Sequence, residues 1–257
     1  MQVEENKVAR VEKAGLEELE GGRRMVGGVS VNPVTAWVML REFVVPPGEG
    51  GKEGGWFVCN GANSGVGRLC LQLGKRWGWK SLAVVRGRGE GTGGLARELE
   101  GLGATRVVTE EVWQGKGFGE VMKEWTGGGR EEVRLGLNCV GGESAMAMAK
   151  VLGRGGTMVT YGGMSKSPMR VGAAQMIFKD LRFRGFWVSR WGDENPERKE
   201  EVVKSVLELY RRGELREGPV VEVEWAWETG REELVRAVEG TLEGSRGGKG
   251  CFVFGET

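Results

Sequence analysis

The chain has 257 residues, of which 39% are hydrophobic and 28% charged, with a formal net charge of +1. Such a composition suits a soluble globular protein. It gives no electrostatic case for binding nucleic acid or an anionic membrane, and no apolar run approaches the ~18 residues of a membrane span. Histidine is absent, which excludes a Ser-His-Asp triad, a Cys-His pair and any histidine-ligated metal.

Residues 1–31 are charged and broken by glycine, and their opening, M-Q-V-E-E-N-K, resembles neither a secretory signal nor a basic transit peptide. A cytoplasmic protein, or a sequence that starts downstream of its true beginning, is expected. Asn32-Pro33 opens a helix that carries apolar residues from Thr35 to Phe43. From Trp56 onward short apolar runs alternate with amphipathic stretches. Strands are predicted at 56–60, 81–86, 106–109, 135–140, 157–161 and 183–188. Helices are predicted near 66–77, 95–102, 117–125, 143–152 and 172–178, with a strong one at 196–212. This alternation predicts an α/β fold with a doubly wound parallel sheet of the Rossmann type. After it come a strand at 220–225, a short helix at 232–238 and a strand at 251–254, which do not continue the alternation. The 48 glycines, about 19% of the chain against a usual ~7%, concentrate at 48–55, 86–94, 126–130 and 244–250 and read as surface connections. Cys59, Cys70, Cys139 and Cys251 are spread through apolar segments and read as core thiols, with no metal site expected.

The loop G-A-N-S-G-V-G, Gly61 to Gly67, joins the first strand of the sheet to a helix. Glycine there lets the backbone approach a pyrophosphate, and the helix directs free N–H groups and its positive end toward the phosphates. The spacing departs from G-x-G-x-x-G, so placement carries more weight than the triplet itself. Strand two ends in Arg86, with Arg88 two residues on, where an NAD site carries an acid for the ribose 2′-hydroxyl. Paired arginines suit a 2′-phosphate and point to NADPH; the alternative is two solvated arginines, with Glu90 partly neutralising them. Tyr161-Gly162-Gly163-Met164 follows the fifth strand, on the edge that lines the ligand crevice. Phe186-Trp187-Val188, with Trp191, reads as core or as pocket lining, and Lys249, taken alone, as a surface charge.

Several segments together resemble a family. N-P-V-T-A-W-V-M-L (32–40), N-S-G-V-G (63–67), L-N-C-V-G-G (137–142), G-G-T-M-V-T-Y-G-G-M (155–164) and F-K-D-L-R-F-R-G-F-W-V-S-R-W (178–191) are similar to mitochondrial 2-enoyl thioester reductases. These are zinc-independent medium-chain dehydrogenases/reductases. The resemblance implies NADPH-dependent reduction of trans-2-enoyl thioesters on acyl carrier protein or coenzyme A, in mitochondrial fatty acid synthesis, by a homodimer. It also implies cofactor contacts at Asn32, Asn63, Ser64, Gly65, Val66, Arg86, Gly87, Arg88, Tyr161, Gly162, Gly163, Met164, Phe186, Trp187, Val188 and Lys249. Gly87 replaces the acid often found between the two arginines, which should leave their charge less compensated.

The family carries a GroES-like catalytic domain ahead of the N-P-x-T-A segment, and that domain supplies a proton-donating tyrosine. Only 31 residues precede Asn32 here, and neither Tyr161 nor Tyr210 matches that acid, so no catalytic residue is assigned. The resemblance divides the chain into a remnant of the catalytic-domain end and linker at 1–31, an NADPH-binding Rossmann domain at 32–214 and the C-terminal segment of the catalytic domain at 215–257. Weak or absent turnover is expected. A non-catalytic NADPH-binding or dimerisation module, and a quinone-oxidoreductase-like enzyme, stand as alternatives.

Overall fold

The computed structural model describes residues 22–47, 55–87, 89–242 and 248–254. Six parallel strands form its main sheet: β1 (Trp56–Asn60), β2 (Lys80–Val85), β3 (Arg106–Thr109), β4 (Val133–Asn138), β5 (Thr157–Thr160) and β6 (Arg182–Gly185). Their order is β3-β2-β1-β4-β5-β6, with every neighbouring pair parallel. This is the doubly wound sheet expected from the alternation. The chain leaves β1 in one direction across the sheet and returns to β4 in the other, which opens a crevice at the carboxyl ends of those two strands.

Successive strand residues face opposite sides, and both sides are buried. Phe57 and Cys59 of β1, Ala83 and Val85 of β2, and Leu135 and Leu137 of β4 enter one core. They pack there against α2 (Asn32–Arg41), α3 (Gly65–Arg76), α4 (Thr92–Leu102) and α10 (Pro196–Arg211). Trp56, Val58, Leu82 and Val84 enter the other, with Trp113 of α5 (Glu110–Gln114), Phe118 and Met122 of α6 (Phe118–Trp125), and α7 (Gly142–Val151). Each fully buried Val, Leu or Phe contributes roughly 1.5–3 kcal/mol relative to exposure, so this double burial dominates the stability of the sheet.

The remaining helices are α1 (Gly22–Gly28), α8 (Ala173–Ile177), α9 (Val188–Glu194) and α11 (Arg231–Leu242). The periodicity did not foretell α1, α5 or α9, which are seven residues or fewer and too short to express a 3.6-residue repeat. The strand expected at 183–188 ends at Gly185, because Val188 already begins α9. The helix expected from Val66 starts one residue earlier, at Gly65.

Beyond α10 lie β7 (Val220–Trp225) and β8 (Lys249–Phe254), a separate parallel pair linked through α11. The segment leading to them runs along α3. Gln72 donates to Arg216 O at 2.9 Å and accepts from Arg216 N at 2.8 Å, and Leu215 is buried in the first core.

Candidate functional site

The parallel topology carries the ends of β1, β2, β4, β5 and β6 to one edge, and with them most of the residues singled out from the sequence. The glycine loop turns at Gly61, whose φ of 60° belongs to the left-handed region that favours glycine. Ser64 caps α3, its Oγ accepting from Gly67 N at 3.1 Å. Among the described residues the amides of Gly65 and Val66 have no acceptor, so two N–H groups face out of a twelve-residue helix at its positive end. Gly67 is glycine for space: a Cβ there would stand 2.6 Å from Ala62 O, so helix and strand meet at backbone distance. Asn32 at the start of α2 reaches the same loop, its Nδ2 lying 2.7 Å from where a Cβ on Gly65 would be. These features form a cradle that a phosphate fits and that side chains would fill.

The loop is held from behind by Arg68, a buried cation that sequence reading missed. Its Nε donates to Asn63 O at 3.2 Å, while its two terminal nitrogens grip Glu98 at 2.5 and 3.0 Å. The guanidinium holds the Glu98 carboxyl below the usual carboxylate range.

A buried polar network at the crevice floor was also missed. Asn60 and Asn138 are the last residues of β1 and β4. Asn60 Nδ2 donates to Asn138 Oδ1 at 2.8 Å and to Ser144 Oγ at 3.1 Å, and Asn60 Oδ1 accepts from Cys139 N at 2.8 Å. Asn138 Oδ1 also accepts from Gly141 N at 3.0 Å, and its amide donates to Thr160 Oγ1 at 3.1 Å. Ser144 in turn donates to Glu110 Oε1 at 3.0 Å. One cluster thus ties the turns after β1, β3, β4 and β5 together. The available signal was an amide closing two mostly apolar strands, W-F-V-C-N and V-R-L-G-L-N.

After β5 the chain runs beside the end of β4: Tyr161 N, Met164 N and Ser165 N donate to Asn138 O, Cys139 O and Val140 O. Gly162 packs on Cys139, whose Cβ would lie 3.2 Å from an added Cβ, and Met164 approaches Gly61. Gly163 is exposed. The Tyr161 ring turns inward, its hydroxyl buried with no hydrogen-bond partner among the described residues. Burial, with the thiols of Cys59, Cys139 and Cys70 around it, pushes that phenol well above its ordinary range. Three of the four spaced cysteines therefore converge beneath the loop as buried thiols, and burial first, then Cys59, pushes Cys139 up to about 12.

Phe186 joins the core against Phe43 and Trp191, and Trp187 is 64% exposed at the same edge, just before Val188. Arg86 and Gly87 follow β2 and are exposed, with no acid at the strand end. Arg88 lies outside the described residues, as do residues 1–21 of the expected linker. Lys249 opens β8 opposite Val220, in the small sheet. At the amino end of the main sheet a second cavity, of about 300 Å³, is lined by Met122, Lys123, Glu131, Leu152 and Lys179. Its glycines Gly129 and Gly153 lie on helix-to-strand connections and not between a strand and a helix start, and Lys179 caps α7 beside it through Lys150 O and Leu152 O at 2.6 and 2.9 Å.

Fold and site together have the architecture of a dinucleotide-binding domain. A zinc-binding dehydrogenase family model matches residues 65–208. A mitochondrial enoyl-[acyl-carrier-protein] reductase of Yarrowia lipolytica is 41% identical over 218 residues, covering 85% of this chain and 54% of that relative. The human mitochondrial enoyl-[acyl-carrier-protein] reductase is 39% identical over 189 residues, covering 73% and 48%. The solved mitochondrial 2-enoyl thioester reductase Etr1p/Etr2p heterodimer from Candida tropicalis superposes with a TM-score of 0.81 at 33% identity, covering 90% of this chain and 61% of that one. The structure of the Etr1p/NADP/crotonyl-CoA complex gives the same TM-score at 32% identity, over the same shares of the two chains. The chain belongs to the zinc-binding dehydrogenase family, in the 2-enoyl thioester reductase group of the medium-chain dehydrogenases/reductases. It spans about half the length of the curated relatives it matches. Among the described residues no group of three or more Cys, Asp or Glu could hold a metal ion, and the sequence has no histidine. No helix among them is long and apolar enough to cross a membrane.

Proposed function

We propose that this chain forms the NADPH-binding part of a 2-enoyl thioester reductase, acting on trans-2-enoyl groups carried by acyl carrier protein or coenzyme A in mitochondrial fatty acid synthesis. The observation that carries the reading is the cradle itself. Two unpartnered amides at the start of α3 adjoin a crevice whose β2 side ends in Arg86 rather than an acid. When bound, NADPH would supply the hydride for the β-carbon of the enoyl group. The chain's own part would be to seat the pyrophosphate on Gly65 and Val66 and to meet the 2′-phosphate with Arg86 and Arg88. The turn from Tyr161 to Met164, with Phe186 to Val188, would line the nicotinamide side, and Lys249 would complete the contacts. The division at residues 31 and 214 goes with this reading.

Self-association as a homodimer is part of the proposal. It is supported by the edge position of β6 and by Met176, Ile177 and the 77% exposed Phe178, which lie on or just after the helix that leads into it. The mitochondrial setting rests on the relatives alone.

A second reading, a cofactor-binding module without turnover, is favoured by one observation. Both tyrosines of the sequence, Tyr161 and Tyr210, bury their hydroxyls without hydrogen-bond partners among the described residues, and burial pushes both phenols up. Neither is placed to deliver a proton to the α-carbon. Fluorescence titration with NADPH and NADH tests the cofactor. Arg86→Ala should weaken NADPH about tenfold or more and leave NADH nearly unchanged, since charge-assisted contacts to a phosphate contribute roughly 1.5–3 kcal/mol. Equal loss for both cofactors would overturn the assignment. Crotonyl-CoA-dependent oxidation of NADPH then separates reductase from module.

A further inference from the structure

Gly87 follows Arg86 at the open end of β2, and a carboxylate occupies the space its side chain would fill. A Cβ on Gly87 would stand 3.1 Å from Glu111 Oε2 and 3.4 Å from Glu111 Oε1. The φ of Gly87 is not positive, and a Cβ there would meet the end of the Glu111 side chain and no backbone. Glu111 is the second residue of α5, which begins where β3, the strand beside β2, ends. Its carboxylate is exposed, and the Thr109 hydroxyl, then the backbone amide of Glu111, hold it below the usual carboxylate range, hence ionised. Neither Arg86 nor Glu111 has an ion-pair partner among the described residues. The Arg86 position therefore carries a cation with no ion-pair partner among the described residues and an ionised carboxylate beside the next residue.

A phosphate monoester carries about −1.5 to −2 charges at neutral pH and only accepts hydrogen bonds, whereas a ribose hydroxyl can donate to a carboxylate. We infer that Glu111 is a specificity-determining residue, opposing Arg86 at the ribose 2′ position and weakening the preference for a 2′-phosphate over a 2′-hydroxyl.

The inference rests on the proposed NADPH site, and the experiment keeps the two apart. The unmodified chain, Glu111→Gln and Glu111→Ala are each titrated with NADPH, NADH and 2′,5′-ADP. Both substitutions should tighten NADPH and 2′,5′-ADP about three- to tenfold, as expected for removing one charge within several ångströms of an exposed phosphate. NADH should change by less than about twofold or weaken, and the gain for NADPH should shrink in added salt. Unchanged NADPH binding, or equal tightening of NADPH and NADH, would overturn the role of Glu111 and leave the cofactor site standing. Opposite effects of the Gln and Ala variants would also overturn it, because both remove the same charge. Failure of the unmodified chain to bind either NADPH or 2′,5′-ADP would instead overturn the cofactor site, and this inference with it.

Discussion

The structure contains the same supersecondary unit in two settings. In β1–α3–β2 the helix buries Leu69, Cys70, Leu71 and Leu73, and every residue of β1 is buried. In β7–α11–β8 the described part of the helix buries only Ala237, and the strands are half-covered, with Phe254 exposed and nearby Trp227 90% exposed. Local sequence is adequate for a strand, helix and parallel strand in both. What differs is the company. β1 and β2 are flanked by β4 and β3 and covered on two faces, whereas β7 and β8 pair only with each other among the described residues. A parallel pair gains most of its stability from what covers it, so the first unit is a rigid platform and the second a lightly held appendage.

Breaking the crevice floor should have the largest effect on that contrast. Asn138→Leu leaves the Asn60 amide and the Gly141 N–H short of a buried acceptor, and should cost about 2–4 kcal/mol in urea unfolding. NADPH affinity should fall with it, since the same residue spaces the turns after β1 and β5. A loss below about 0.5 kcal/mol would mean the amides are not holding the platform.

A smaller effect is expected at the rear support of the glycine loop. Glu98→Gln should cost about 1 kcal/mol, limited by the half-exposed carboxylate but sharpened by the buried guanidinium it leaves behind. The Glu98 carboxyl is depressed in the folded protein, so its contribution is complete above the unfolded value near ~4.3. That contribution is lost as pH falls through the lower folded value. The two proteins should therefore differ at pH 7 and converge in stability below about pH 4, and a constant difference down to pH 2 would contradict the pairing.

The smallest effect on global stability is expected in the appendage. Trp225 stacks on Phe252 and Phe254 with ring centroids 5.6 and 5.0 Å apart. Trp225→Ala should accelerate amide exchange in β7 and β8 and shift the main unfolding transition by less than about 0.5 kcal/mol. A matching drop in the main transition would show one cooperative unit and erase the contrast.

Much of the platform was legible from residue pattern. Each of the six expected strands is present to within two or three residues, because alternating burial on two faces forces runs such as W-F-V-C and S-L-A-V-V. The glycine loop was legible for the same local reason: a strand, a positive-φ turn and a helix start lie within a dozen residues. Helices α5 and α9 were not, being too short for a period to show. Tyr161 read as a crevice residue, yet its ring faces the thiols, because side-chain direction in a turn depends on which strand the turn rests against.

The sequence by itself determined the six strands of the main sheet and the longer helices, the loop between β1 and α3, and the lack of histidine chemistry, all properties of neighbouring residues or of composition. Only the tertiary structure decided which distant groups meet: Asn60 with Asn138, Arg68 with Glu98, Asn32 with Gly65, and Glu111 with the vacant side of Gly87. The physical reason is that periodicity records which face of an element is buried, while strand order and helix docking choose its neighbours. Those choices are made by packing the whole sheet at once.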